Sequence, residues 1–388
     1  MDFELTGPQK DLVTRVRDYL ATHITPELTA EIAETPEGGG PEWKAYIRQL
    51  GADGMLGVGW PTEYGGLGHG PVEQYLFFEE ICRTGIPIPV VAVQTVAPAI
   101  MRVGTDAQKA HYLPGILKGE IDVAIAYTEP DAGSDLASLR TSATRDGDEW
   151  IIDGQKVFTS GAHMADYIWL AARTDPDVPK HKGISVFIID ARSPGISIQP
   201  TEIMGGLRTN TTFYDEVRVP ADALVGELNE GWSYITTQLN YERLALATAS
   251  PVERALEETV AWANENWRNG RRVAEEPWVR DALAAIAVDV DVLSLLNLRT
   301  ASMLAEGTVP YHDASLNKVF ATELHQRAFG TCLRIMGRTG GLVGGIGVSD
   351  GGRLARWFMT DVLLTFGGGA NEVHRNIVAM IGLGMPKS

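Results

Sequence analysis

Residues 124–135 read AIAYTEPDAGSD, and residues 154–161 read GQKVFTSG. Both stretches combine glycine with small hydroxyl-bearing side chains, which is typical of loops whose backbone N–H groups approach an anion or the edge of a flat ring. Either stretch alone could be an ordinary turn of a β domain. Together, in this order and about twenty residues apart, they favour a pair of ligand-facing loops.

The composition restricts the class of protein. The chain has 388 residues, of which 44% are hydrophobic and 21% charged, enough for a large core and two or three structural units. No run reaches the roughly 18 apolar residues of a membrane span, and the acidic N-terminus has no signal-peptide pattern. The two cysteines, Cys82 and Cys332, and the eight histidines lack metal-ligand spacing. We therefore expect a cytoplasmic protein without a metal, and the net charge of −17 argues against a nucleic-acid partner.

The hydrophobic period changes twice along the chain, which divides it into three parts. Residues 1–120 follow a helical period, residues 121–225 a strand period, and residues 226–388 a helical period again. Thr6 and Gln9 have the spacing of a capping box at the first helix. Predicted helices cover residues 42–52, 71–84, 91–103, 106–118, about 277–306 and about 314–336, and a last helix follows the glycines at 367–369. Predicted strands include residues 150–152, 167–170, 184–189 and 213–220. The sequence thus predicts a mainly α protein with a central β domain.

This layout, the two loops, and residues 213–220 leading into Gly231-Trp232 resemble the acyl-CoA dehydrogenase family across nearly the whole chain. The resemblance implies the acyl-CoA dehydrogenase fold, with a helical N-terminal domain, a β-barrel-like middle domain and a C-terminal four-helix bundle. It also implies FAD as the cofactor and an acyl-CoA thioester as the substrate.

By the same resemblance, the two loops line the flavin. The Thr128 hydroxyl lies near the pyrimidine edge, and Ser134 lies near the CoA pantetheine or the cofactor diphosphate. Phe158 replaces the usual tryptophan against the isoalloxazine, and Ser160 replaces the usual threonine whose hydroxyl approaches flavin N5. The implied FAD contacts are Tyr127, Thr128, Gly133, Ser134, Phe158, Thr159, Ser160, Ala370, Asn371 and Glu372.

The reaction needs a carboxylate that removes the α-proton of the thioester. In much of the family this glutamate precedes the last helix, and alignment on Arg375 places Gly368 at that position. A minority carries it in a Leu-x-x-Glu-Arg-Leu pattern on another helix, and residues 239–244 here read LNYERL. We therefore predict Glu242 as the base. Glu372 is the competing carboxylate, and a solvated helix glutamate is the alternative interpretation of Glu242.

The remaining substrate contacts are implied by the same alignment. Asn240 and Arg243 match positions that contact the CoA side in relatives, as does Ser134. The backbone N–H of Gly368 can donate to the thioester carbonyl and stabilise the developing enolate. Because Gly368 has no side chain, it leaves room for a branched or ring-bearing acyl group.

Two segments depart from the homotetrameric members, in which they contact the FAD of a neighbouring subunit. Residues 269–280 lack the usual Phe-Gly and glutamine, and residues 334–340 lack their glutamine. This pattern resembles the catalytic subunit of actinobacterial dehydrogenases that act on steroid side-chain CoA esters as α2β2 heterotetramers. It implies a related second subunit, with a homotetramer as the alternative if nearby arginines replace the missing contacts. Those arginines are Arg271, Arg272, Arg334 and Arg338.

The sequence-based conclusion is FAD-dependent conversion of an acyl-CoA, bulky or derived from a steroid side chain, to a trans-2-enoyl-CoA. An electron-transfer flavoprotein or an equivalent acceptor would take the electrons. Three alternatives stay open: a branched short-chain dehydrogenase of the isovaleryl type, a flavin oxidase or monooxygenase on this fold, and a non-catalytic supporting subunit.

Overall fold

The computed structural model describes residues 4–308, 310–344 and 350–386. For residues 239–246 and 350 it describes the backbone alone. Helices occupy both ends of the described chain and strands the middle, as the sequence predicts.

The N-terminal part is helical, and its helix ends carry the predicted signals. Its helices are α1 Gly7–His23, α2 Pro26–Glu34, α3 Pro41–Ala52, α4 Pro71–Thr84, α5 Ala97–Val103 and α6 Asp106–Leu117. The N–H of Thr6 donates to Oε1 of Gln9 at 3.0 Å, which completes the predicted capping interaction of α1. A π-helical turn, Val91–Val96, leads into α5, so the predicted helix 91–103 has two geometries.

The middle part is one eight-stranded sheet. Its strands are β1 Val123–Ala126, β2 Ser142–Asp146, β3 Glu149–Lys156, β4 Tyr167–Arg173, β5 Ile184–Asp190, β6 Ile196–Glu202, β7 Arg208–Pro220 and β8 Leu224–Val225. The order is β6-β7-β3-β2-β4-β5-β8, and β1 pairs with β4 in parallel. Buried apolar side chains pack on both faces, with Trp169 and Phe187 almost inaccessible.

The C-terminal part is helical again. Its elements are α7 Gly231–Leu246, α8 Ser250–Glu265, the strand pair β9 Trp267–Arg268 and β10 Arg271–Arg272, α9 Pro277–Ala305, α10 Tyr311–Met336, α11 Arg353–Thr360 and α12 Asn371–Ile377. Helix α10 is central, because it packs against α7, α8, α9, α11 and α12. Its surroundings therefore bury polar as well as apolar side chains, among them Lys318 and His325.

The three parts meet through polar side chains as well as apolar contacts. Gln108 of α6 donates from Nε2 to the carbonyl oxygens of Asp222, at 2.8 Å, and Leu224, at 2.9 Å. Gln238 of α7 accepts from the Tyr127 hydroxyl at 2.6 Å and donates to the Thr95 carbonyl at 3.2 Å. One side chain of α7 thereby joins the C-terminal part to both of the others.

Candidate active site

The two predicted loops lie side by side, because the sheet brings the ends of β1 and β3 together. The N–H of Val157 donates to the Thr128 carbonyl at 2.8 Å. Beneath them, Nζ of the fully buried Lys156 lies 2.8 Å from Oε1 of Glu129 and 3.0 Å from the Tyr127 carbonyl. The Glu129 carboxylate also accepts from the backbone N–H of residue 140, at 2.6 Å, and of residue 141, at 2.8 Å. A buried ion pair thus fixes both loops.

The pKa values of this pair follow from its burial. Burial lowers the pKa of Lys156 to about 8, and the charge of Glu129 opposes that shift. Burial alone would raise the pKa of Glu129, but the ammonium of Lys156 holds it below its ordinary value. At neutral pH both groups are charged, so the pair is an ammonium–carboxylate contact.

Phe158 stands in an uncommon backbone conformation. Its φ is +58°, in the left-handed region that bulky residues rarely adopt, and 66% of its surface is exposed. The neighbouring Thr159 explains how this conformation is held: it is fully buried, its N–H donates to the Asn210 carbonyl at 2.9 Å, and its carbonyl accepts from Nδ2 of Asn210 at 2.8 Å. Strand β7 therefore anchors residue 159 and leaves the ring before it on the surface.

The other predicted loop residues divide into exposed and buried groups. Ser160 is exposed, and its hydroxyl lies 3.2 Å from that of Thr209. Gly133 and Ser134 are exposed and Thr128 is half-buried. The Tyr127 side chain, in contrast, is buried and hydrogen-bonded to Gln238. Cofactor contacts of Tyr127 and Thr159 would therefore have to come from the backbone.

Three predicted residues lie on α7 where only the backbone is described. Asn240, Glu242 and Arg243 occupy the C-terminal half of this helix, and their side chains lie outside the described residues. The start of the helix is well defined, because a Cβ on Gly231 would lie 2.8 Å from the Ile184 carbonyl oxygen. Only glycine allows α7 to approach β5 this closely.

The glycines before α12 form a segment held by its carbonyl groups. Gly368 and Gly369 have φ values of +66° and +105°. Nζ of the buried Lys318 donates to the Gly369 carbonyl at 2.6 Å and to Oδ1 of Asn371 at 2.9 Å. Nε2 of the buried His374 lies 3.2 Å from the Gly368 carbonyl, which assigns its hydrogen to that contact. The segment is therefore fixed from the interior of the bundle.

The predicted residues around α12 differ in their exposure to solvent. Asn371 is buried, and its Nδ2 donates to the Thr322 hydroxyl at 3.0 Å, so its side chain supports the helix N-terminus. Ala370 is half-buried and Glu372 is exposed. Lys318 and His374 were not predicted as functional: the Lys318 contact joins positions 51 apart, and the sequence does not show that the His374 ring turns back to the Gly368 carbonyl six positions before it.

The two segments that depart from the homotetrameric pattern lie together in the C-terminal part. Nη2 of Arg268 donates to the Ile335 carbonyl and connects the β9–β10 hairpin to the end of α10. The guanidinium of Arg272 lies 5.7 Å from the ring centre of Trp267, whose surface is 65% exposed. Arg334 donates to the Thr331 hydroxyl at 3.0 Å.

The described loops suit a flavin. An exposed aromatic ring in a constrained conformation, the Ser160 hydroxyl and an open glycine at position 133, where a Cβ would meet nothing within 4 Å, offer a flat face and donors to a planar heterocycle. Phe158, Ser160, Thr128 and the 133–134 backbone are the groups that would hold it.

Among the residues the structure describes, no helix is long and apolar enough to cross a membrane.

Family models match almost the whole chain. Residues 6–120 match the N-terminal domain of acyl-CoA dehydrogenases, residues 124–217 the middle domain, and residues 229–383 the C-terminal domain.

Individual relatives match over their full length. Acyl-CoA dehydrogenase FadE29 of Mycobacterium tuberculosis is 45% identical, over 100% of this chain and 99% of its own. Among solved structures, the Tcur3481-Tcur3483 steroid ACAD superposes with a TM-score of 0.95 at 44% identity, covering 100% of both chains. The ChsE4-ChsE5 complex from Mycobacterium tuberculosis superposes with a TM-score of 0.94 at 40% identity, also covering 100% of both chains.

Proposed function

Because this chain belongs to the acyl-CoA dehydrogenase family and is an acyl-CoA dehydrogenase, we propose that it uses FAD to convert a bulky, steroid side-chain acyl-CoA to its trans-2-enoyl-CoA. The observation that carries the cofactor assignment is Phe158, which a buried neighbour holds at a positive φ with its ring 66% exposed. Such strain in an exposed aromatic residue is typical of a ligand site. When bound, FAD supplies the acceptor for the β-hydride.

The roles of this chain's own residues follow from the two sides of the site. The carboxylate of Glu242 takes the α-proton, and the Gly368 N–H binds the thioester carbonyl as negative charge develops on it. Phe158 and Ser160 orient the isoalloxazine ring of the flavin on the opposite side of the acyl chain. Asn240, Arg243 and Ser134 hold the CoA moiety.

The substrate class is supported by the glycine segment and by the relatives. Residues 367–369 place no side chain beside the predicted acyl position, so the site can admit a branched or ring-bearing group. The Tcur3481-Tcur3483 structure is described as a steroid ACAD. The isovaleryl-type alternative shares the Glu242 position and differs in the acyl volume it accepts.

A related second subunit is part of the proposal. Helix α9 exposes Val288, Val292 and Leu295, by 61%, 39% and 44%, and their spacing places them on one helix face. An apolar stripe of this kind on a helix is typical of a face that another subunit covers. The Tcur3481-Tcur3483 and ChsE4-ChsE5 structures each pair two named proteins, and segments 269–280 and 334–340 lack the family's usual contacts to a neighbouring FAD.

The test combines assembly with turnover. The chain is expressed alone and with a related acyl-CoA dehydrogenase chain, and flavin content, mass by size-exclusion chromatography with light scattering, and anaerobic bleaching by acyl-CoA esters are measured. The ester panel runs from isovaleryl-CoA to steroid side-chain CoA thioesters. We expect low flavin occupancy alone, and two FAD per mixed tetramer with a preference for ring-bearing esters.

Each of the other outcomes contradicts a different part of the proposed function. A homotetramer with four tightly bound FAD and full activity excludes the second subunit. A preference for isovaleryl-CoA contradicts the bulky substrate and supports a branched short-chain one. Absence of bleaching by every ester in a flavin-loaded complex indicates a supporting subunit.

A further inference from the structure

A buried turn follows the helix that carries the predicted base. Residues 247–250 connect α7 to α8, and all four are at most 5% exposed. Buried backbone groups need partners. Four of the backbone groups in this turn have side-chain partners on three other helices.

Each partner binds a different part of the turn. Nδ2 of Asn297, on α9, donates to the Ala247 carbonyl at 2.6 Å. Nε2 of His325, on α10, lies 2.8 Å from the Thr248 carbonyl. The carboxylate of Glu79, on α4, accepts from the N–H groups of residues 249 and 250 at distances of 2.8 to 3.1 Å. The end of α7 is therefore fixed along its axis by side chains from both helical parts of the molecule.

His325 also reaches the opposite side of the candidate site. Its Nδ1 lies 2.7 Å from Oδ2 of Asp361, the first residue of the 3-10 turn Asp361–Thr365 that leads into the glycine segment. Since a carbonyl and a carboxylate can only accept, both ring nitrogens must carry hydrogen, and the 2% exposed imidazole is an imidazolium. One buried cation thus joins the end of α7 to the start of the segment that carries Gly368.

Helix α10 holds the far end of that segment as well. Lys318 lies seven residues before His325, two turns away on the same face. Lys318 binds the Gly369 carbonyl, so α10 fixes the 361–371 segment at both ends. The helix bearing Glu242 and the segment bearing Gly368 consequently share one anchor.

We propose that His325 is a positioning residue for the dehydrogenation, setting the place of the α7 base relative to the Gly368 carbonyl-binding backbone. This inference rests on the proposed function, in which Glu242 and Gly368 act on the same thioester. Displacement of one reacting group by about 1 Å can cost on the order of a hundredfold in rate. Loss of an anchor shared by both groups should therefore lower turnover.

The charge of His325 gives the proposal a pH-dependent readout, which a residue that only fills space would not produce. Burial alone would lower the pKa of His325, but the hydrogen bond and charge of Asp361 raise it above its ordinary value. The charge of Glu79 on α4 also raises the pKa of His325. Cys82 of α4 interacts with Asp361, and because burial raises the pKa of Cys82 to about 12, it stays a neutral thiol. Because the pKa is raised on folding, the stabilisation by the charged ring is fully present below about pH 6.5 and is lost as the pH rises through the folded-state pKa, where the neutral ring keeps only one of its two N–H donors.

The experiment uses the flavin-loaded complex with His325→Ala, Asp361→Asn and, as a matched control, Cys332→Ala. Cys332 is a fully buried residue two turns further along α10 and lies outside the anchor. His325→Ala should retain FAD, lose about 10- to 100-fold in kcat with a smaller change in KM, and raise amide hydrogen exchange in residues 247–250 and 361–369 together. Cys332→Ala should stay within a few-fold of wild type and leave both segments protected.

Asp361→Asn separates charge from contact. The new amide can donate to Nδ1 of a neutral ring, so activity at pH 7 should stay within a few-fold of wild type. The kcat of the wild type should fall as the pH rises through the pKa of His325, and that of Asp361→Asn should not. If wild type and Asp361→Asn share the same alkaline limb, or if His325→Ala loses no more activity than Cys332→Ala, the proposal is wrong. Hydrogen exchange is independent of turnover, whereas an inactive wild type would contradict the proposed function itself.

Discussion

The two loops proposed to face the flavin and the glycine segment are both anchored from the interior, but by different sets of buried groups. At the two loops a buried ion pair serves as the anchor: Glu129 binds Lys156 and two backbone N–H groups, and Lys156 also donates to the Tyr127 carbonyl. At the glycine segment two buried donors, Lys318 and His374, bind backbone carbonyls. An anchor that binds carbonyls does not use the N–H groups of its segment, which suits a loop proposed to donate to a thioester. The chemistry of this anchor therefore agrees with the donor role proposed for the Gly368 N–H.

The largest effect should come from the proposed base on the acyl side. Glu242→Gln should keep FAD bound and lower the rate of flavin bleaching by acyl-CoA by about 10²–10⁴-fold, since the amide cannot accept the α-proton. Glu372→Gln is the control, because Glu372 is exposed at the start of α12. Near-normal rates in Glu242→Gln together with an inactive Glu372→Gln would reverse the assignment.

The next effect concerns the flavin-side anchor. Lys156→Met leaves the Glu129 carboxylate buried without its cation, which should cost about 3–5 kcal/mol in the free energy of unfolding. Lys180→Met removes an exposed pair with Asp135, whose side chains are 47% and 59% exposed, and should cost at most about 1 kcal/mol. Urea titration followed by tryptophan fluorescence measures both. Equal losses would show that the buried pair contributes no more than a surface one.

A smaller effect is expected in the glycine segment. Gly369→Ala introduces a side chain at φ +105° and places its Cβ 2.9 Å from Nε2 of His374. The backbone strain should cost about 1–2 kcal/mol, and displacement of His374 should lower the catalytic rate as well. Gly147→Ala, at φ +61° with nothing within 4 Å, carries strain alone and is the control. A kinetic change of the same size in both variants would show that displacement of His374 does not affect catalysis.

The smallest effect is expected at the flavin edge. Ser160→Ala removes one hydroxyl, which corresponds to about 0.5–1.5 kcal/mol for a typical hydrogen bond, and should shift the flavin absorbance spectrum without unfolding the protein. Ser142→Ala, in β2, is the matched control: its hydroxyl lies 3.5 Å from the Asp153 carbonyl. An unchanged spectrum and reduction rate in Ser160→Ala would argue against a Ser160–flavin contact.

The sequence was informative wherever local periodicity or a local cap determines structure. The helix predicted near 277–306 extends over Pro277–Ala305, and that predicted at 71–84 matches α4. Strand β7 begins at Arg208 rather than at residue 213, because its first residues pair with β6 across a polar stretch that has no apolar alternation. The π-helical turn before α5 likewise has no signature in the apolar spacing.

The site was less predictable, because a motif places a residue in a loop without fixing which way its side chain points. Tyr127 and Thr159 belong to the predicted motifs, yet both side chains face the interior. The anchors are long-range contacts: Lys318 lies 51 positions from Gly369, and His325 lies 77 positions from Thr248. Spacing rules address neighbours within a few turns, so they could not identify Lys318 or His325 as anchors.

The left-handed backbone of Gly368 has an evolutionary consequence. A glutamate at this position, where much of the family has its base, would here have to adopt φ +66° at a cost of about 1–2 kcal/mol. If the base lies on α7, as proposed for Glu242, a return to this position by a single codon change would carry that cost in a backbone already held by Lys318 and His374. The transfer of the base between helices would then be difficult to reverse, and the room it left for a bulky acyl group would persist in the descendants of this branch.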